Sequence, residues 1–223
     1  MNQKGCLYII ATPIGNPEDI TLRALKTLRE VNAVICEEKR QGAKTLSQLG
    51  IKDKEIITLN EHNEQTQTPE IILRLLNGQT MGLISDCGTP VFADPGSYLI
   101  NQAVHSGIPI TALPGASSLM AALSVLDTPL DKFVFGGFLP RENEARFSEL
   151  KRLKAMHMPV ILMDTPYRMA KLLTEVAKVF GKSQHITLAC DLTLPEERVY
   201  RGCVAEVQAK VGQRKAEFIL IVH

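Results

Sequence analysis

The twelve residues Ser85-Asp86-Cys87-Gly88-Thr89-Pro90-Val91-Phe92-Ala93-Asp94-Pro95-Gly96 bring together carboxylates, hydroxyls, a thiol, glycines and prolines. Such a set can grip a cationic or hydroxyl-rich ligand. Gly88 permits positive φ or a close backbone approach. Pro90 and Pro95 fix φ and stiffen the segment, and Asp86 offers a carboxylate near its start. The loop follows the apolar run Met81–Ser85 and precedes a helical pattern, so it lies beyond the carboxyl end of a strand, where open α/β sheets bind ligands. The plainer alternative is a rigid turn, signalled by Asp94-Pro95-Gly96, with Ser97 capping the next helix.

Two further turns have the same placement. Thr12-Pro13-Ile14-Gly15-Asn16-Pro17 follows the first apolar run, and Pro114-Gly115-Ala116-Ser117-Ser118 follows Ile110–Leu113. Together the three predict a ligand edge lined by backbone amides and small hydroxyls. Neither G-x-G-x-x-G nor G-x-x-x-x-G-K-[ST] occurs, which argues against a standard dinucleotide or P-loop site. The segment Arg141–Lys154 is the most basic local feature, with Arg141, Arg146, Lys151, Arg152 and Lys154. Glu142, Glu144 and Glu149 interrupt it, so a solvated helix with paired charges competes with an RNA contact. The histidines show no metal-ligand spacing, and no metal is expected.

The elements that must carry these loops alternate almost throughout. Cys6–Ala11, Ala33–Cys36, Glu55–Leu59, Met81–Ser85 and Ile110–Leu113 have the continuous apolar character of strands buried on both faces. Between them come helical segments: one with Leu22, Leu25, Leu28 and Val31 on its apolar face, Ala43–Leu49, one opened by Thr68-Pro69, and Ser97–Ser106. The second half predicts helices at Ser117–Leu126, Glu142–Met156 and Tyr167–Phe180. Its strands fall at Phe133–Phe138, Val160–Met163, Ile186–Cys190, Arg198–Gly202 and Glu217–Val222. The expectation is two α/β domains: residues 1–113 with a largely parallel sheet, and 114–223 with a mixed sheet. With 223 residues and a formal charge of +1, the chain can bury a sizeable core, and any basic patch must be local. Five scattered cysteines without a C-x-x-C pair predict reduced thiols. With no long apolar run and a start too short for a signal peptide, these predict a cytoplasmic protein without a membrane span.

The loop Ser85–Gly96 closely resembles the S-D-A-G-x-P-x-x-x-D-P-G signature of the ribosomal RNA small-subunit methyltransferase I family, cytidine ribose 2′-O-methyltransferases of the tetrapyrrole methylase superfamily. The similarity extends to Leu7–Asn16, Asp19–Leu25, Glu61-His62-Asn63-Glu64, Pro114-Gly115 and Gly137–Arg141, and covers essentially the whole chain. Departures include Cys87 in place of the signature alanine, Ala93 before Asp94 in place of serine or asparagine, and Glu37-Glu38-Lys39-Arg40 for E-D-T-R. Met163–Arg168 stands for an aromatic-acid-S-P-H-R segment. The family's additional C-terminal segment has no counterpart before His223.

The resemblance implies a homodimer of two-domain α/β chains, with S-adenosylmethionine folded into the interdomain cleft and S-adenosylhomocysteine as product. It places cofactor contacts at Ile14, Ser85, Asp86, Cys87, Gly88, Thr89, Ser117, Ser118, Asp164, Thr165 and Leu192. A ribose hydroxyl is a poor nucleophile, so a general base can assist, and Glu38, Glu61, His62 and Asp94 are the candidates. Arg40, Arg141 and Arg168 are candidates for holding RNA phosphate. Cys87 is expected to be a small spacer. Two other readings stay open: a methylase acting on a small molecule or protein, and a non-catalytic cofactor- or RNA-binding module.

Overall fold

The computed structural model describes residues 4–92 and 94–223. The expectations placed on Met1–Gln3 and on Ala93 lie outside the described residues. The chain divides into two compact units, Met1–Ser117 and Ser118–His223.

The first unit is a five-stranded, all-parallel sheet of β1 (Leu7–Ile10), β2 (Ala33–Cys36), β3 (Glu55–Thr58), β4 (Met81–Ile84) and β5 (Ile110–Leu113), in the order β3-β2-β4-β1-β5. Its helices are α1 (Leu22–Glu30), α2 (Lys39–Gln48), α3 (Glu64–Leu76) and α4 (Ser97–His105). The chain moves one way across the sheet from β1 to β3, then reverses. Right-handed crossovers therefore put α1 and α2 on one face and α3 and α4 on the other. The two apolar cores follow that division. Strand residues Leu7, Ala33, Ile35, Met81 and Leu83 pack with Ile71, Leu75, Leu99 and Ala103 of α3 and α4. Their alternates Ile10, Val34, Cys36 and Ile84 pack with Ala24, Leu28 and Leu46 of α1 and α2. The period-two alternation of a strand thus sorts one apolar run into two cores.

Three local expectations are corrected. Leu22 is not on the buried face of α1 but 87% exposed, and the buried positions are Ala24 and Leu28. The second helix begins at Lys39, four residues before the expected Ala43, because Glu38 caps it. The third begins at Glu64, which leaves Pro69 inside the helix. A proline there removes one helical hydrogen bond at a cost of about 3 kcal/mol, offset here by the buried packing of Ile71 and Leu75 on the sheet.

The second unit opens with α5 (Ser118–Ser124). Its sheet is mixed, in the order β6-β7-β10-β8-β9. The strands are β6 (Val134–Phe138), β7 (Val160–Met163), β8 (His185–Cys190), β9 (Arg198–Cys203) and β10 (Phe218–Val222). Only β6 and β7 are parallel to each other; β10 pairs antiparallel with β7 and β8, and β8 antiparallel with β9. Helices α6 (Asn143–Lys154), α7 (Met169–Phe180) and α8 (Val204–Val211) build one core with Val160, Leu162, Leu188 and Leu220. Among the described residues no helix is long and apolar enough to cross a membrane.

Candidate active site

All five strands of the first unit are parallel, so the loops that follow them share one edge of the sheet. The three turns expected to cooperate do touch. Buried Thr12 donates its hydroxyl to the Ser85 carbonyl at 3.1 Å, and its amide to the Gly88 carbonyl at 2.9 Å. Thr89 donates its hydroxyl to the Ala116 carbonyl at 3.1 Å. Gly88 has φ +85°, and a Cβ there would meet Ile14 Cγ2 at 3.1 Å and the Ala116 carbonyl at 3.5 Å. Only glycine serves at that crossing. A cavity of about 190 Å³ lies beside it, with Ile14, Asp86 and Cys87 among the residues that line it.

Within the loop, Ser85 donates its hydroxyl to Asp94 Oδ2 at 2.5 Å and accepts the Cys87 amide at 3.1 Å. The serine therefore closes the loop on itself across nine residues. Val91 sits at φ +72°, a conformation that costs a β-branched residue strain. At the far end the expected Ser97 cap is replaced. The cap position is Gly96, which has no side chain to offer. Glu64 Oε1 instead accepts the amides of Gly96, Tyr98 and Leu99 at 3.0, 2.9 and 3.2 Å.

The edge is acidic. Burial raises the Asp86 carboxyl above its ordinary range, Glu38 and Asp94 raise it further, and a backbone hydrogen bond from Glu38 draws it back in part. Burial also raises Asp94, against the lowering effect of its bond to Ser85. Glu37 is raised by burial and then by Asp86, Asp94 and Glu61. The same environment pushes the Cys36 thiol up to about 11. Among the described residues no lysine or arginine pairs with Glu37, Asp86 or Asp94. Asp86 Oδ1 is buried without a hydrogen-bond partner. A buried acceptor left open in this way fits a ligand carrying hydroxyl or ammonium donors, and the surrounding negative field favours a positive one.

The four proposed bases differ in their surroundings. Glu38 spends both oxygens on the Arg40 and Gln41 amides, at 3.0 and 2.7 Å, as the cap of α2. Glu61 and His62 are exposed and lie 3.5 Å apart. Asp94 is half-buried on Ser85. Glu37, directly after β2 on the same edge, was not among the sequence candidates, although its burial beside Asp86 and Asp94 resembles that of Asp94. Arg40 is exposed in the first turn of α2, and Arg141 is exposed just before α6.

In the second unit Asp164 and Thr165 follow β7. Asp164 is buried and accepts the Thr165 amide on Oδ1 at 2.9 Å. Its Oδ2 accepts Arg146 at 3.0 Å, and Arg168 stands 3.8 Å from Oδ1. The basic-helix expectation needs correction at Arg146: this side chain faces inward, fully buried, and is not available to RNA. Leu192 is buried between Asp191 and Thr193, which hold φ +49° and +66°. Asp191 is braced by Arg214 at 2.6 Å and by the Glu217 amide at 3.1 Å. Ser117 closes the first unit and Ser118 begins α5. Among the described residues no group of three metal-ligating side chains is placed to hold an ion.

The model of the tetrapyrrole (corrin/porphyrin) methylases matches residues 6–208. The ribosomal RNA small subunit methyltransferase I of Xylella fastidiosa strain Temecula1 is 39% identical over 227 aligned residues, covering 100% of this chain and 83% of that protein. The protein of the same name from Halalkalibacterium halodurans is 36% identical, covering 100% and 77%. Among solved structures, a cobalt precorrin-4 methyltransferase superposes with a TM-score of 0.71 at 17% identity, over 97% of this chain and 94% of the other. A diphthine synthase superposes with a TM-score of 0.72 at 16% identity, over 98% and 89%. At such identities the superpositions speak for the fold alone.

Proposed function

We infer the function from one premise: the chain belongs to the tetrapyrrole methylase family and, within it, to the ribosomal RNA small subunit methyltransferase I proteins. It is an S-adenosylmethionine-dependent methyltransferase. We propose that its acceptor is a cytidine ribose 2′-hydroxyl of small-subunit ribosomal RNA, and that it works in the cytoplasm as a homodimer.

The observation that carries the reading is the acidic edge of the first unit with its unpartnered Asp86 oxygen. S-adenosylmethionine supplies an electrophilic methyl group on a sulfonium and brings a positive charge with it. In the first unit we assign its binding to Ile14, Ser85–Thr89 and Ser117, with Asp86 Oδ1 accepting one of its donors. In the second unit Ser118, Asp164, Thr165 and Leu192 are the corresponding contacts. Asp94, raised by burial, and Glu37, raised by burial and by its acidic neighbours, are suited to take the hydroxyl proton. Exposed Arg40 and Arg141 are suited to hold phosphate, whereas Arg168 divides its charge with Asp164.

Calorimetry with S-adenosylmethionine tests the cofactor site. Asp86→Ala should weaken binding at least tenfold, about 1.4 kcal/mol, and unchanged affinity would remove Asp86 from it. Incubating labelled cofactor with small ribosomal subunits tests the acceptor. Label confined to protein or small molecules rejects the RNA reading.

A further inference from the structure

Arg146 is the largest fully buried side chain among the described residues and carries a charge. Its guanidinium bonds in three directions. Nη1 donates to the Pro140 carbonyl at 3.2 Å, in the loop that follows β6. Nη2 donates to Asp164 Oδ2 at 3.0 Å, in the loop that follows β7. Nε and Nη2 together grip Glu175 of α7, at 3.0 and 2.7 Å to Oε2. Lys171 and Arg168 approach the outer sides of Glu175 and Asp164, each at 3.8 Å.

Such a cluster is an expensive way to fill a core. Desolvating ions costs several kcal/mol each, and well-packed apolar residues often do as well or better for stability. Burial opposes the arginine's charge, and the hydrogen bonds to Glu175 and Asp164 more than compensate, so its pKa is raised. Geometry gives the arrangement its use. β6 and β7 are the parallel pair of the second sheet, so their following loops share an edge, and one planar fork fixes the separation of those loops. Asp164 passes the constraint on, because its other oxygen holds the Thr165 amide at 2.9 Å.

We propose that Arg146 is a positioning residue for cofactor binding: through Pro140 and Asp164 it sets where the Asp164-Thr165 backbone stands. This rests on the assignment of Asp164 and Thr165 to the cofactor. A lysine in its place keeps the charge but cannot span three acceptors in a plane.

The test is a double-mutant cycle read by calorimetric Kd for S-adenosylmethionine and S-adenosylhomocysteine. Arg146→Lys should raise Kd about tenfold, as should Asp164→Asn. The double variant should lie within about twofold of either single one, because both changes break one path. Additive losses near a hundredfold, or a folded Arg146→Lys protein with wild-type affinity, would overturn the proposal. Should Arg146→Lys not fold, Arg146→Gln with Glu175→Gln removes one charge of each sign and is judged by the same outcomes. Absence of binding by the wild type would instead defeat the cofactor reading itself, and an unaffected Asp164→Asn would defeat the assignment of that loop.

Discussion

Glu37, Asp86 and Asp94 in the first unit, and Asp164 and Glu175 in the second, are carboxylates gathered near the carboxyl ends of parallel strands. Only the second group encloses a cation, Arg146. In the first group burial pushes all three acids toward their neutral forms, and repulsion adds to it at Glu37 and Asp86. An uncompensated cluster is a standing charge that a cationic ligand can satisfy. A compensated one already has its counter-ion and serves as scaffold. Side chains of the same type thus do opposite work according to whether a guanidinium was folded in with them.

The contrast breaks most completely if the second cluster loses its cation. Arg146→Met should cost about 3–5 kcal/mol in urea unfolding, because two buried carboxylates lose the cation bonded between them and keep only Arg168 and Lys171, each at 3.8 Å on the outer side. A loss under about 1 kcal/mol would show the pair to be hydrated. The converse change puts a cation into the first cluster. Glu37→Lys should weaken S-adenosylmethionine binding about tenfold, near 1.4 kcal/mol by calorimetry, with little effect on stability. Stronger binding would mean that the acidic field is irrelevant to the ligand.

The smallest expected effect is on pH dependence. A carboxyl whose pKa is raised on folding binds more protons in the folded state. Its contribution to stability is therefore full below the unfolded value, about 4, and is lost as pH rises through the folded value. Glu37, Asp86 and Asp94 should make the protein more resistant to urea as pH falls from neutral toward that range. His223, whose pKa is lowered chiefly by burial, acts in the opposite sense, so the difference between wild type and Asp86→Asn is the quantity to read. The variant should show the shallower rise, and parallel profiles would mean that Asp86 carries no shift.

Much of this was legible in the sequence because it is local. Apolar runs such as Val160–Met163 and Ala33–Cys36 marked strands to the residue, and the composition of turns such as Thr12–Pro17 announced loops that meet beyond the strand ends. What escaped depends on partners far away in the chain. One exception is local: Pro69 looked like a helix start, although Asn60 and Asn63, nine and six residues before it, fold the preceding loop so that the helix begins earlier. Leu22 fitted the apolar period, yet its side chain faces solvent. Arg146 sat in a charged stretch like its neighbours, and its partners Asp164 and Glu175, 18 and 29 residues later, distinguish it. Glu64 was recognised as part of a motif, but its three bonds to the start of α4 lie 32 to 35 residues away.

Those three bonds have a consequence for how the Ser85–Gly96 loop moves. The first turn of a helix ordinarily leaves its amides open to solvent, and their hydrogens exchange quickly. Here the Gly96, Tyr98 and Leu99 amides are held by a side chain rooted in α3, while Ser85 fastens Asp94 a short way upstream. Swinging the loop outward would therefore mean unlatching a second helix. Isotope exchange at these amides should follow the slow opening of the sheet they rest on, and the loop should meet its ligand already formed rather than close over it.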